Sequence, residues 1–193
     1  GKGGSLAIAC CIGVASLLAA PPSHAVTPGE RQALIDLYTA TQGDGWINNT
    51  GWLGASGTEC NWYGVVCFND RVVQLSLNGD NLTGTLPDLS ALTELQGLWL
   101  VDNHLSGSLP DLSSQTKLLN LIVRGNLLSG PFPSWSPSAP IAAIDAAYNA
   151  FTGSIPFLNG TPTLASVKFD GNWFSGPIPD ISNLSTLANF QVD

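Results

Sequence analysis

The sequence predicts an α/β repeat fold: a solenoid of stacked units with a short parallel β-sheet on its concave face, closed at the N-terminal end by a helical, disulfide-bonded cap. Three observations carry that expectation. The pattern N-x-(L/F)-x-G-x-(L/F/I)-P recurs five times at a step of 23 residues, headed by Asp80, Asn103, Asn126, Asn149 and Asn172. Gly84, Gly107, Gly130, Gly153 and Gly176 keep the same step, as do Pro87, Pro110, Pro133, Pro156 and Pro179. A period held this long marks units that bury their apolar edges only against one another. Before each Asn or Asp stands an alternating apolar triplet, and ahead of all the repeats stand a capped helix and the segment CNWYGVVC.

Residues 1–25 read as an export signal, with Lys2 as the positive charge and Ser23-His24-Ala25 as an A-x-A-like cleavage site. Its apolar run, Leu6 to Ala20, has 15 residues, short of the roughly 20 that span a bilayer. Residues 26–71 form the cap. Thr27 with Glu30 makes a capping box, Pro28 suits the first helical position, and Gly43 is the expected stop of a helix over 27–43. Ala33, Leu34, Leu37 and Tyr38 supply its apolar stripe. Trp46, Trp52, Trp62 and Tyr63 are expected to seal the open end of the core. Cys60 and Cys67 are the cysteines left once the signal is removed, and in an exported chain they pair. Closing so short a loop stabilises by about 2.5 kcal/mol on the chain-entropy view.

Residues 72–193 hold five units and a truncated sixth. The triplets Leu75-Ser76-Leu77, Leu98-Trp99-Leu100, Leu121-Ile122-Val123, Ile144-Asp145-Ala146 and Val167-Lys168-Phe169 read as strands that stack into one parallel sheet. The Asn that follows can both donate to and accept from turn backbone that would otherwise be buried unpaired. Asp80, in the unit next to the cap, cannot donate when ionised. Gly permits the tight backbone after it, and Pro ends the segment without needing a donor. Leu187-x-x-Phe190-x-Val192 opens a sixth unit, and the chain has no Met. A solenoid without a polar closing unit exposes its last apolar edge, so a fragment is expected.

Composition narrows function. Hydrophobic residues make up 44% of the chain and charged residues 10%, so a continuous core is filled and solubility leans on Ser, Thr, Asn and Gly. A net charge of −8 with six scattered Lys and Arg excludes a phosphate-neutralising stripe, and with it nucleic acid as a partner. The same balance disfavours an anionic membrane surface, and a membrane enters only if a span lies beyond Asp193.

These residues resemble the leucine-rich repeat family in its plant-specific form, L-x-x-L-x-L-x-x-N-x-L-x-G-x-(I/L)-P. CNWYGVVC resembles that family's N-terminal C-x-W-x-G-V-x-C motif. The resemblance covers residues 27–193. The units here are one residue shorter than the usual plant repeat, a form similar to repeats of exported bacterial and protist proteins. It implies a leucine-rich repeat solenoid that recognises a protein or peptide and does no chemistry. Related roles are the ectodomain of a longer receptor kinase or other membrane-anchored signalling protein, and a secreted inhibitor of cell-wall polysaccharide hydrolases such as polygalacturonase. A secreted or cell-surface location goes with each of these.

Outward strand positions line the concave face: Ser76, Trp99, Ile122, Asp145, Lys168 and Gln191, spanning about 24 Å at the usual strand spacing. Asp102, Arg124, Tyr148 and Asp170 flank them. Trp99 beside Ile122 and Arg124 resembles the anchor chemistry of protein interfaces, or else covers sheet between small neighbours. From these columns the expected ligand contacts are Trp99, Ile122, Asp145, Lys168, Arg124, Asp102, Tyr148 and Asp170. Catalytic material is thin: His104 is the one histidine after the signal, and Glu30, Glu59 and Glu94 lie far apart. Asp145 with Asp170 reads as a solvated charge cluster rather than a carboxylate pair. The aligned Asp88, Asp111 and Asp180 lack the density of oxygen ligands that calcium wants. No cofactor and no metal is expected. Asn48, Asn81 and Asn183 open glycosylation sequons that matter in a eukaryotic secretory pathway, with Asn159 the poorest of four.

Overall fold

The structure, a computed structural model, describes residues 25–156, 158 and 161–192. The export signal, apart from Ala25, and the Asn159 sequon lie outside the described residues.

Helix α1 runs Pro28–Ala40, shorter than the expected 27–43, with Thr27 and Glu30 forming the reciprocal capping box. Its end is made by Thr41, whose N–H and hydroxyl both donate to the Leu37 carbonyl, at 3.0 and 2.6 Å. Gly43 is therefore not the helix stop. It opens a 3-10 turn, Gly43–Gly45, and lies so close under the Tyr38 ring that a Cβ there would collide with it. Close approach, rather than helix termination, is what that glycine serves.

Chain order then gives a short 3-10 turn, Glu59–Asn61, and, among the described residues, twelve strands: β1 Val65–Phe68, β2 Arg71–Ser76, β3 Thr83–Thr85, β4 Gly97–Trp99, β5 His104–Gly107, β6 Asn120–Ile122, β7 Leu127–Pro131, β8 Ala143–Asp145, β9 Ala150–Gly153, β10 Ser166–Lys168, β11 Trp173–Phe174 and β12 Asn189–Gln191. The concave sheet has the order β1-β2-β4-β6-β8-β10-β12. All its pairs are parallel except β1 with β2, an antiparallel hairpin turned by Asn69 and Asp70, both at positive φ as a two-residue turn of this kind demands. The Cys60–Cys67 disulfide ties β1 to the preceding turn, with Cα atoms 5.5 Å apart.

The expectation of one parallel sheet is corrected by a second. Strands β3, β5, β7, β9 and β11 form their own parallel sheet on the other side of the core. The segment after each Asn is extended enough for successive units to pair, and its glycines take the positive φ that turns the chain away afterwards. Its register slips two residues against the repeat, so Thr83 faces His104 and Ser106 faces Leu127.

Between the sheets runs a continuous core. Leu75, Leu98, Leu121, Ile144 and Val167 are wholly buried, and so are Leu82, Leu105, Leu128 and Phe151. Towards the last unit the same columns open: Phe174, Phe190 and Val192 are only partly buried and Ile178 is exposed. The aromatic seal at the cap consists of Tyr38, Trp46, Trp52 and Trp62, with ring centroids 4.8–5.8 Å apart. Tyr63 is not part of it. It is exposed, and Tyr38 from α1 takes the place expected for it, because Tyr63 lies just beyond the Trp62 side chain that turns inward.

Side-chain amides join unit to unit. Asn103 Oδ1 accepts from the N–H groups of Asp80 and Leu82 in the preceding unit, at 3.0 and 2.9 Å, while its Nδ2 donates back to Leu77 at 2.7 Å. Asn126, Asn149 and Asn172 likewise donate back to the preceding unit, at Leu100, Val123 and Ala146, and each accepts one N–H from it, those of Leu105, Leu128 and Phe151. Donor and acceptor are thus both used across the unit boundary, not only within one turn.

Candidate ligand-binding face

The strand register places Ser76 beside Trp99, Trp99 beside Ile122, Ile122 beside Asp145, Asp145 beside Lys168 and Lys168 beside Gln191. The six outward residues are one unbroken column. A second column on the same face, two residues earlier in each strand, carries no mark in the sequence: Gln74, Gly97, Asn120, Ala143, Ser166 and Asn189. Its members are small or polar, so they give no signal of their own. At the cap edge Val66 pairs with Gln74 and is exposed, adding an apolar place to the same face.

Trp99 is only half open. Its indole folds back over Gly97, where any Cβ would strike the ring, and Gly97 is buried as a result. Part of this side chain therefore covers sheet, and the remainder stands beside Ile122. Further along, Lys168 Nζ lies 3.9 Å from Asp145 Oδ2, and Asp145 Oδ1 accepts the Ala147 N–H at 3.2 Å. Asp145 thus faces a lysine. Asp170 Oδ1 is buried without a hydrogen-bond partner. The face grades from Val66, Trp99 and Ile122 to charge at Asp145 and Lys168.

The flanking residues sit on the edge where the chain leaves the sheet. Arg124 lies over the Tyr148 ring, 5.1 Å from its centroid, an arrangement that holds a guanidinium without neutralising it. Asp102 and Tyr148 occupy one repeat position with Gly79, Gly125 and Gly171, and all five have positive φ, from 52° to 70°. The Asp102 carboxylate packs on Gly125 and the Tyr148 ring on Gly171. This column, Gly-Asp-Gly-Tyr-Gly, is legible in the chain as alternate glycines one step before the Asn ladder. Non-glycine residues there, above all a bulky tyrosine, adopt a backbone conformation that costs energy.

Other candidates stand apart from this face. Glu30 is wholly buried and accepts from Arg71 Nε, Thr27 N–H and hydroxyl, and Val72 N–H, at 2.9–3.1 Å. Buried Glu59 pairs with Arg31, and Glu94 with Lys117 at 2.5 Å. His104 is exposed at the head of β5. Asp88, Asp111 and Asp180 turn back to accept the N–H two residues on, at 2.8–2.9 Å. That backbone N–H holds Asp88 and Asp180 below the ordinary carboxylate value. Among the described residues no three His, Cys, Asp or Glu side chains group to hold a metal ion, and no helix is long and apolar enough to cross a membrane. Of the sequons, Asn48 Oδ1 accepts the Thr50 N–H, Asn81 Nδ2 donates to the Gly45 carbonyl, and Asn183 is exposed.

No family model matches this chain. Over 45 residues, 23% of the chain, it is 49% identical to Protein MALE DISCOVERER 1 of Arabidopsis thaliana, a match that spans 6% of that protein. Its fold resembles the LRR ectodomain of the receptor kinase SOBIR1 from Arabidopsis thaliana, with a TM-score of 0.67 and 26% identity over 86% of this chain and 93% of that one. It also resembles the Arabidopsis receptor kinase HAESA LRR ectodomain in complex with an N-terminally extended IDA peptide hormone ligand, with a TM-score of 0.63, 26% identity, and coverage of 86% of this chain and 29% of that one.

Proposed function

Since the fold is a leucine-rich repeat solenoid like those of plant receptor ectodomains, we propose that this chain is an exported recognition domain that binds a peptide or protein segment along its concave sheet and does no chemistry itself. The observation that carries this reading is the in-register column from Ser76 to Gln191, which sets different side chains in one line across six strands. A surface of that kind can read a sequence of side chains, whereas a lattice binder would repeat one residue. Trp99 and Ile122 are the apolar anchor, Asp145 and Lys168 the polar half, and Arg124, Tyr148, Asp102 and Asp170 the rim. The similarity to a receptor kinase ectodomain bound to a peptide hormone supports the ligand class. Similarity to the SOBIR1 ectodomain, matched over 93% of its length, favours service as the outer part of a membrane-anchored signalling protein. In this reading residues 1–25 are removed on export, residues 26–71 close the core, and residues 72–193 carry the recognition face. Asn183 is the sequon best placed for a glycan, since the Asn81 amide is already engaged with Gly45.

The test is selection of binders from a random peptide display library on the protein. Binding of the selected peptides is expected to fall at least tenfold in Ile122→Asp and Lys168→Glu proteins and to survive Trp173→Asp on the second sheet. Peptides indifferent to both concave changes would refute the reading.

A further inference from the structure

The cap meets the solenoid at Asp80, a residue 2% exposed. From the cap loop the Ile47 N–H donates to the Asp80 carbonyl at 3.0 Å, and the Asn48 N–H donates to Asp80 Oδ1 at 2.7 Å. The other carboxyl oxygen, Oδ2, is buried with no partner. Four units supply the comparison. In Asn103, Asn126, Asn149 and Asn172 the atom in the place of Oδ2 is an NH2 group, and it donates to the carbonyl three residues back, at 2.9–3.2 Å. The corresponding carbonyl for Asp80 is that of Leu77. An ionised Oδ2 brings only lone pairs to a position that the fold has built for a donor, and a buried charge without one is costly.

We propose that Asp80 serves in the folded protein as a neutral carboxylic acid, its Oδ2–H donating to the Leu77 carbonyl as the asparagine amides do in later units, so that loss of this proton loosens the cap from the solenoid. The proton is held on Oδ2 and leaves to solvent when the junction opens. Asp80 is thereby a pH-sensitive latch at the boundary where the first repeat meets the cap. The cap loop carries Asp44, hydrogen-bonded to Tyr38, and the next unit carries Asp102 and His104 on either side of Asn103. Burial raises the carboxyl above its ordinary 3.8, and the Asn48 N–H opposes that rise. A carboxyl raised in the folded state favours folding when protonated, so this contribution is full at pH below 3.8 and is lost as pH climbs through the folded value.

The experiment uses the full chain and two readouts. The carbon-13 shift of the Asp80 carboxyl, followed from pH 3 to 8, is expected to titrate above 3.8. Hydrogen exchange at the Asn48 amide is compared in wild-type and Asp80→Asn protein, which cancels every effect of pH that the two proteins share. The two exchange alike at the acid end, and wild type opens progressively more as pH rises. Each pH unit by which the carboxyl midpoint exceeds 3.8 predicts about a tenfold change in that ratio. A midpoint at or below 3.8, or a ratio that does not move with pH, overturns the proposal.

Discussion

Tyr148 shows how one residue can cost stability and still be placed for use. Its backbone is left-handed, φ 54°, at a position where three of five units have glycine, and its ring supports Arg124. Tyr148→Gly is expected to leave stability unchanged or raise it by about 1 kcal/mol through relief of strain. The same change is expected to weaken ligand binding, as the guanidinium loses its rest. A marked fall in stability together with unchanged affinity for the selected peptides would reverse that view. Glu30 is the opposite case, a buried carboxylate fully engaged with Arg71 and the Thr27 and Val72 N–H groups. Glu30→Ala strands a cation and three donors and is expected to cost about 3–5 kcal/mol, read from urea unfolding. The local pattern around Thr27 identifies Glu30 as a capping-box member. Its tie to Arg71, 41 residues away, has no trace in the sequence because nothing local joins the two.

At the scale of elements, the asparagine ladder and the cap each hold strands that would otherwise pair weakly. Asn126→Leu leaves the Leu105 N–H without its side-chain partner and removes one of the two amide donors at the carbonyls of Leu100 and Val123, which keep Asn103 and Asn149. A loss of about 1–3 kcal/mol is expected, with protection from hydrogen exchange falling first at Leu105. Replacing Cys60 and Cys67 together by serine is expected to cost about 2.5 kcal/mol, measured by thermal or denaturant unfolding. The loss should appear as earlier opening of β1, since that strand has only one sheet neighbour. Period-two alternation makes the concave strands readable from the order of residues alone. The second sheet is hidden there because its strands are brief and partly glycine, and because pairing between units compensates for weak local preference.

Across the whole molecule, each unit touches only its neighbours, so stability should vary along the axis. The core columns are closed from the cap through Phe151 and Val167 and open at Phe174, Ile178 and Phe190. Amides of β12 are therefore expected to exchange faster than those of β6, with β10 between them; equal protection along the stack would contradict a nearest-neighbour account. The architecture of stacked units, the helix start, the disulfide pair and the column of outward residues are all legible in the order of residues. These follow from periodicity and from chemistry confined to a few neighbouring positions. Packing alone fixes that two sheets form, that Trp99 lies over Gly97, that Tyr38 replaces Tyr63 in the aromatic seal, and that Asp80 bears a buried oxygen without a partner. Each of those depends on which atoms meet across unit boundaries, and close packing settles that by excluding the alternatives.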